Sequence, residues 1–233
     1  MSLVMEDFQK LWELSKDDGF LNDCGLPEPF EQWLAEGNIE QLTRSLIRSY
    51  QGRCYGPLND YLRKEKRVPN PLYDLRIKLL KNALGALPNI SACILWRDES
   101  NDGEIKRWAS KNVGASFLVP SFWSTYIRPE NWKATTPTFR ILTSSPSHSK
   151  DISTYSDFMR GVSEVLYQPN NLFRIVGIDK VITWRDTVAN VVTIQELNGG
   201  EPNVIAFDGY MISQDDADHI PLQQLSASDL GLI

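Results

Sequence analysis

The chain changes its pattern of apolar residues near residue 90, and this change constrains the fold more than any other feature. Before it, apolar side chains recur at the helical spacing of three and four residues, in Ile39, Leu42, Leu46, Ile47 and Tyr50. The same spacing runs from Leu72 to Leu84, and Gly85 and Pro88 then predict the end of that helix. The first ninety residues are therefore predicted to be helical.

From Ser91 onward the apolar residues fall in short runs bounded by glycine, proline, serine and asparagine. The runs are SACILWR, FLVPSFWSTY, TFRILTS, EVLYQ, LFRIVGI, NVVTIQEL and NVIAF, and such runs are typical of β-strands. Most connections between them are too short for crossover helices, so neighbouring strands should be antiparallel. We predict an α+β fold in which an N-terminal helical layer precedes a mainly antiparallel β-sheet core.

The composition supports a packed core and excludes two classes of partner. The 233 residues are 42% hydrophobic and include seven tryptophans, enough for a core without disulfide or metal support. The net charge is -6 and no dense basic stripe occurs, which argues against nucleic acid as a partner. No apolar stretch reaches the roughly 18 residues of a membrane span, and the first residues do not resemble a signal peptide.

The cysteines and histidines form no recognisable site. Cys24, Cys54 and Cys93 are widely separated, so we expect neither a disulfide framework nor a metal-ligand cluster, which fits a reducing compartment or brief transit through an oxidising one. His148 and His219 lie in polar loops, away from any activated nucleophile. The acids around His219 match no calcium loop, and both common nucleotide-binding glycine loops are missing. We expect no metal.

Isolated polar residues on otherwise apolar strands are the remaining candidates for chemistry. Arg97 ends the run CILWR, Ser124 and Thr125 lie within SFWSTY, and Glu164 opens EVLYQ. Because side chains alternate along a strand, Ser124 shares a face with Tyr126, while Thr125 lies on the opposite face. An arginine, a serine and a glutamate facing one cleft would suit a ligand with phosphates and hydroxyls. Three unrelated strand-end residues are the other interpretation.

The order of these residues resembles the arginine-serine-glutamate clade of mono-ADP-ribosyltransferases, which includes bacterial toxins and effectors. In that family an arginine ends one strand, F-x-S-T-x forms the next, and a glutamate opens E-V-L. The stretch SYQGRCYGPLNDYLRK resembles its Y…Y…IN…LR helical pattern through Tyr50, Tyr55, Asn59, Leu62 and Arg63. KDISTYSDFMRGVSEVLYQPNNLFRIV resembles its run from I-S-x-Y-S to E-V-L. The resemblance covers about residues 40 to 197.

The resemblance implies a split-sheet cleft that binds NAD as a co-substrate. Arg97 would hold the pyrophosphate side of NAD, because a guanidinium offers several fixed donors and keeps its charge. Ser124 would fix the nicotinamide ribose and orient Glu164, while Thr125 would brace the strand junction. Glu164 would hydrogen-bond the ribose 2′-hydroxyl and stabilise the oxocarbenium-like centre. One carboxylate suffices, because the nicotinamide ring of NAD is a cationic pyridinium and departs as a neutral molecule.

Three positions depart from the family pattern. Val162 stands where arginine-modifying members carry a second glutamate, and it cannot accept a hydrogen bond from an incoming guanidinium. Arginine is therefore not the expected acceptor. Tyr126 replaces the last residue of S-T-S and would either stack on nicotinamide or fill the core. Asp98 follows Arg97, where glycine is common.

Two loops complete the predicted site. Arg128 and Trp132 follow the serine-bearing strand and would contact the phosphates and the nicotinamide ring, or else lie in solvent. Residues 155–161 correspond to the family's acceptor-recognition turn. There, Tyr155 and Phe158 would dock a target protein next to Val162, or else fold inward.

Residues 1–38 are predicted to form a helical extension and residues 39–233 the catalytic domain. The resemblance implies transfer of ADP-ribose from NAD to a protein side chain, with release of nicotinamide. Two alternatives stay open: an NAD glycohydrolase, in which water captures the ribosyl cation, and a catalytically inactive binding module. We expect synthesis in a bacterial cytoplasm, with secretion or injection into a host or rival cell left open.

Overall fold

The computed structural model describes residues 4–17, 26–64, 67–127, 137–155, 163–182, 188–199 and 204–206. The packing of the chain divides it into two units. The helical unit comprises Met1–Pro88 and Lys150–Arg160, and the sheet unit comprises Asn89–Ser149 and Gly161–Ile233. The division after residue 38 stays a prediction.

Helices make up most of the described part of the helical unit. They are α1 (Met5–Asp17), α2 (Phe30–Ala35), α3 (Ile39–Ser49), α4 (Tyr55–Arg63) and α5 (Pro71–Gly85), with a π-helical turn over Tyr50–Cys54. The Asn38 side chain accepts the Gln41 N–H at the start of α3. Asn70 caps α5 in the same way, with proline as the first helical residue. The two helices predicted from apolar spacing are confirmed.

The apolar stripes of these helices share one core. Its buried members are Phe8, Leu11, Leu26, Phe30, Leu42, Leu46, Leu72, Leu75 and Leu79. Residues before and after position 38 therefore pack together. This burial, rather than helix propensity alone, stabilises short helices such as α2.

A short later segment of the chain also belongs to the helical unit. It contains β5 (Lys150–Asp151) and a 3₁₀ turn over Ser153–Tyr155. The Lys150 ammonium donates to the main-chain oxygen of Leu87 over 2.6 Å. Arg48 Nε donates to the main-chain oxygen of Tyr155 over 3.1 Å. Polar contacts to main-chain oxygens thus attach this segment to the helices.

The sheet unit is built on strands in the order β6-β3-β1-β4-β8-β7-β2-β9. Their bounds are β1 (Ile94–Arg97), β2 (Ser116–Val119), β3 (Trp123–Tyr126), β4 (Phe139–Leu142), β6 (Glu164–Tyr167), β7 (Asn171–Ile182), β8 (Val188–Glu196) and β9 (Val204–Ala206). Among these pairs only β4–β8 and β2–β9 are parallel. The predicted α+β class with a mainly antiparallel sheet is confirmed.

Two details of the sheet unit differ from expectation. The run FLVPSFWSTY forms two strands, β2 and β3, because Pro120 interrupts it and proline cannot donate to a strand ladder. A helix that was not predicted, α6 (Asp102–Lys111), follows β1. It buries Ile105, Trp108 and Ala109 in the core of the sheet unit.

A buried carboxylate organises the loop after β4. Glu196, at the end of β8, accepts the main-chain N–H groups of Ser144 and His148 over 2.9 and 2.6 Å. It also accepts the hydroxyls of Ser147 over 2.8 Å and of Tyr167 over 3.3 Å. The His148 main chain thus serves the loop structure.

One cysteine contradicts the expectation from the sequence. Cys54 is disulfide-bonded, so the expectation that the cysteines stay unpaired is wrong for this residue. Sequence spacing does not reveal pairing, which depends on Cα atoms approaching to about 5.5 Å in the fold. Disulfides are typical of oxidising compartments, which argues against the reducing compartment. Cys93 is a free thiol, and burial raises its pKa.

Candidate active site

The residues singled out on separate strands come together on the neighbouring strands β1, β3 and β6. Tyr126 pairs with Glu164 on one side and with Trp96 on the other. Ser124 pairs with Leu166, so Glu164 is its diagonal neighbour on the same face of the sheet. The register of β3 and β6 therefore brings the serine and glutamate side chains within reach of each other.

A hydrogen bond between Ser124 and Glu164 forms the centre of the candidate site. The Ser124 hydroxyl donates to Oε1 of Glu164 over 2.5 Å, a length typical of a charge-assisted bond. Glu164 is only 6% exposed, so its charge acts in surroundings less polar than bulk water. The carboxylate is held in one orientation before any substrate arrives.

Thr125 and Tyr126 follow the alternation predicted for β3. Thr125 is buried, and its hydroxyl donates to the main-chain oxygen of Val165 over 2.9 Å, which ties β3 to β6. The Tyr126 side chain is buried and hydrogen-bonds the Ser124 side chain. Burial raises the pKa of Tyr126 to about 12, and the Glu164 charge acts in the same direction. A protonated phenol, a serine and a carboxylate thus form a connected chain.

Arg97 lies at the end of β1, where hydrogen bonds and a ring contact fix its guanidinium. Nε donates to Glu99 Oε1 over 2.5 Å, and Nη1 donates to the main-chain oxygen of Ser124. The guanidinium carbon lies 5.2 Å from the centre of the Trp123 ring, within cation–π range. Arg97 thus contacts the main chain of β3 at Ser124.

Glu99 is part of this arrangement, although the sequence did not single it out. Its Oε1 also accepts the indole N–H of Trp123 over 3.1 Å, and its side chain is 4% exposed. The Glu99 N–H donates to Oγ1 of Thr138 over 3.0 Å, while the Thr138 N–H donates to the Arg97 main-chain oxygen over 2.9 Å. Two of its partners, Trp123 and Thr138, lie far along the chain, so no local pattern marks this residue.

Asp98 adds a second acid beside the arginine. Burial raises the pKa of Asp98 to about 6, with the charges of Asp102 and Glu99 acting in the same direction and those of Arg97 and Lys106 opposing them. The end of β1 is therefore rich in carboxylates. Even so, no grouping of histidine, cysteine and acidic side chains within the described residues could hold a metal ion.

The remaining predicted residues belong to the helical unit or lie outside the described residues. Tyr155 belongs to the helical unit, where its ring lies 5.5 Å from the guanidinium carbon of Arg44. Its role in acceptor recognition stays a prediction. Four predicted residues lie outside the described residues: Arg128, Trp132, Phe158 and Val162.

Comparison with known proteins identifies the fold. No protein-family model and no curated protein matches the chain. Among solved structures, the ADP-ribosyltransferase toxin Plx2a from Paenibacillus larvae is 17% identical, with a TM-score of 0.55 over 82% of this chain and 97% of its own. The ADP-ribosyltransferase Vis, from Vibrio splendidus, is 17% identical, with a TM-score of 0.55 over 90% of this chain and 93% of its own.

A third similar structure is the enzymatic component C2-I of the Clostridium botulinum C2 toxin. It is 21% identical, with a TM-score of 0.54 over 66% of this chain and 43% of its own. Likeness at these identities concerns the path of the backbone, on which different chemistries can be built. Within the described part of the chain no helix is long and apolar enough to cross a membrane. The chain has the fold of the bacterial ADP-ribosyltransferase toxins.

Proposed function

We propose that this protein is a mono-ADP-ribosyltransferase that transfers ADP-ribose from NAD to a protein side chain and releases nicotinamide. The observation that carries the proposal is the Ser124–Glu164 hydrogen bond beside Arg97. The toxin-like fold supports it. The positions of Arg97, Ser124 and Glu164 on β1, β3 and β6 also support it.

The proposed reaction needs one well-placed negative charge. The bond between nicotinamide and the ribose breaks, neutral nicotinamide leaves, and the acceptor forms the new bond as it loses a proton. Glu164 stabilises the positive charge that develops on the ribose. Because Ser124 already holds the carboxylate, little reorganisation is needed as that charge appears, which is how electrostatic preorganisation lowers a barrier.

Arg97 is proposed to bind the phosphates of NAD. Its guanidinium stays charged and carries five N–H donors in a fixed plane. Contacts at Nε and Nη1 fix that plane relative to β3. Tyr126 and Arg128 are proposed to add contacts to NAD, and Thr125 to brace the β3–β6 junction.

The acceptor is proposed to be a protein side chain other than arginine. An attacking guanidinium must be oriented or deprotonated, since its pKa lies above about 12, and Val162 offers no hydrogen-bond acceptor for that purpose. Tyr155 and Phe158 are proposed to contact the target protein, with the producing cell delivering the protein as a toxin or effector.

Labelled NAD tests the proposal directly. The purified protein, incubated with labelled NAD and a cell lysate, should mark one or a few protein bands. Glu164→Ala should abolish marking without unfolding the protein. Glu104→Ala is the matched control, because Glu104 is an exposed acid on α6 and its loss changes the net charge equally. Equal labelling by Glu164→Ala would refute the role of this carboxylate.

The same experiment separates the two alternatives. Nicotinamide release with no protein-bound label in any lysate would indicate an NAD glycohydrolase. Val162 favours this alternative, because its apolar side chain offers no hydrogen-bond acceptor to an attacking guanidinium. Calorimetry that detects no NAD binding, together with no turnover, would indicate an inactive binding module. Mass spectrometry of the labelled band then identifies the modified residue.

A further inference from the structure

We propose that Glu99 is a positioning residue, which orients Arg97 toward the phosphates of NAD. This inference rests on the proposed function and adds a residue to it. The carboxylate occupies the flank of the guanidinium, where Oε1 receives the Arg97 Nε–H over 2.5 Å. Glu99 acts through the arginine and has no assigned contact with substrate.

The side chain of Glu99 is itself fixed from two directions. The indole N–H of Trp123 donates to the same Oε1 over 3.1 Å. The main chain on both sides of Asp98 is held by Thr138, which receives the Glu99 N–H and donates to the Arg97 carbonyl. With 4% of its side chain exposed, Glu99 has little room to move.

The position of the contact matters for orientation. A guanidinium held only at Nη1 could rotate about that hydrogen bond, whereas holding Nε as well fixes its plane. Nε is bound by Glu99 and Nη1 by Ser124. The two contacts hold different nitrogens of the guanidinium, so together they set the direction in which the rest of the group points.

A charge role and an orientation role for Glu99 make opposite predictions. A carboxylate close to bound phosphates repels them, so its charge alone would weaken NAD binding. Orientation strengthens binding and depends on the reach of the side chain. Glu99→Gln keeps the reach and an accepting oxygen but removes the charge, whereas Glu99→Asp keeps the charge and loses one methylene of reach.

The test measures KM for NAD and kcat for nicotinamide release. Glu99→Ala should raise KM by about tenfold or more, the effect of losing a charge-assisted hydrogen bond, and leave kcat within about threefold. Glu99→Gln should stay closer to wild type than Glu99→Asp. Glu104→Ala, which removes an exposed acid of the same unit, should match wild type. Thermal unfolding checks that each variant is folded.

A double-mutant cycle distinguishes positioning from a merely structural role. If Glu99 acts through Arg97, Glu99→Ala should add no further rise in KM to Arg97→Ala. An additive effect, or a KM closer to wild type for Glu99→Asp than for Glu99→Gln, would overturn the proposal. If Glu99→Ala does not fold, the Asp and Gln variants decide the question alone.

The outcomes separate this inference from the function on which it rests. Wild-type protein that binds NAD, with Glu99→Ala unchanged in KM, would overturn the role of Glu99 and leave the proposed function intact. Wild-type protein that neither binds nor consumes NAD would overturn both.

Discussion

Glu164→Gln removes one negative charge from the candidate site while keeping the shape of the side chain. Glutamine retains a carbonyl oxygen, so the Ser124 hydroxyl keeps an acceptor in the position that Oε1 occupies now. The packing around this buried residue should therefore change little. The substitution isolates the effect of the charge.

The size of the effect follows from Coulomb's law. Two unit charges about 4 Å apart attract by about 4 kcal/mol at an effective dielectric constant of about 20. Because the ribose carries only part of a unit charge in the transition state, we expect Glu164→Gln to remove about 3 kcal/mol of this attraction. That loss lowers kcat on the order of a hundredfold or more. NAD affinity should change little, since the charge acts chiefly on the developing cation.

Two measurements check this expectation. Calorimetry gives NAD binding, and nicotinamide release at saturating NAD gives kcat. Glu104→Gln serves as the control for the loss of one exposed acid and should keep wild-type values. If Glu164→Gln strongly weakened NAD binding and retained wild-type turnover at saturating NAD, the role given to this carboxylate would be wrong.

Three further changes test other parts of the sheet unit. Asp98 has a raised pKa of about 6, against an ordinary 3.8. Between these two pH values the folded protein therefore binds more protons than the unfolded chain, so its stability falls as pH rises through this window. Asp98→Asn should therefore raise the free energy of unfolding in urea by about 1 kcal/mol at pH 7, after a discount for solvent screening. It should change nothing near pH 3.5, and an equal gain at both pH values would contradict the assignment. Tyr126→Phe removes the hydroxyl that bonds Ser124 and should lower kcat about fivefold with little change in KM for NAD. A rise in KM alone would instead indicate direct contact with NAD. Glu196→Ala leaves buried donors without an acceptor and should cost about 3 kcal/mol in urea unfolding; a loss below about 1 kcal/mol would be inconsistent with its bonds.

The spacing of apolar residues was sufficient to predict the helices that bury one regular face. The apolar stripe of α3 and the capped start of α5 are local signals, and both helices form where expected. The helix α6 was missed although Ile105, Trp108 and Ala109 have helical spacing and acidic residues occupy its first turn. Its short length and its place among strand-like runs concealed that signal.

The candidate site was only partly predictable, because some of its features are local in the sequence and others depend on contacts between distant segments. Alternation along β3 places Ser124 and Tyr126 on one face, as expected, since side chains alternate with a period of two. The pairing of Arg97 with Glu99 and Trp123 could not be predicted, because it depends on how the end of β1 turns beside β3. The Cys54 disulfide could not be predicted either, because cysteine pairing also depends on how the fold brings distant residues together.

The helical unit is interrupted in the sequence, and this has a consequence for synthesis. Its late segment supplies main-chain oxygens, such as those of Ile152 and Tyr155, to Gln51 and Arg48 on the early part of the chain. A ribosome adds the residues between 88 and 155 in roughly 3 to 13 s at ordinary elongation rates. During that interval the emerged helices lack these partners. The helical unit therefore completes its polar contacts only after a large part of the sheet unit has left the ribosome.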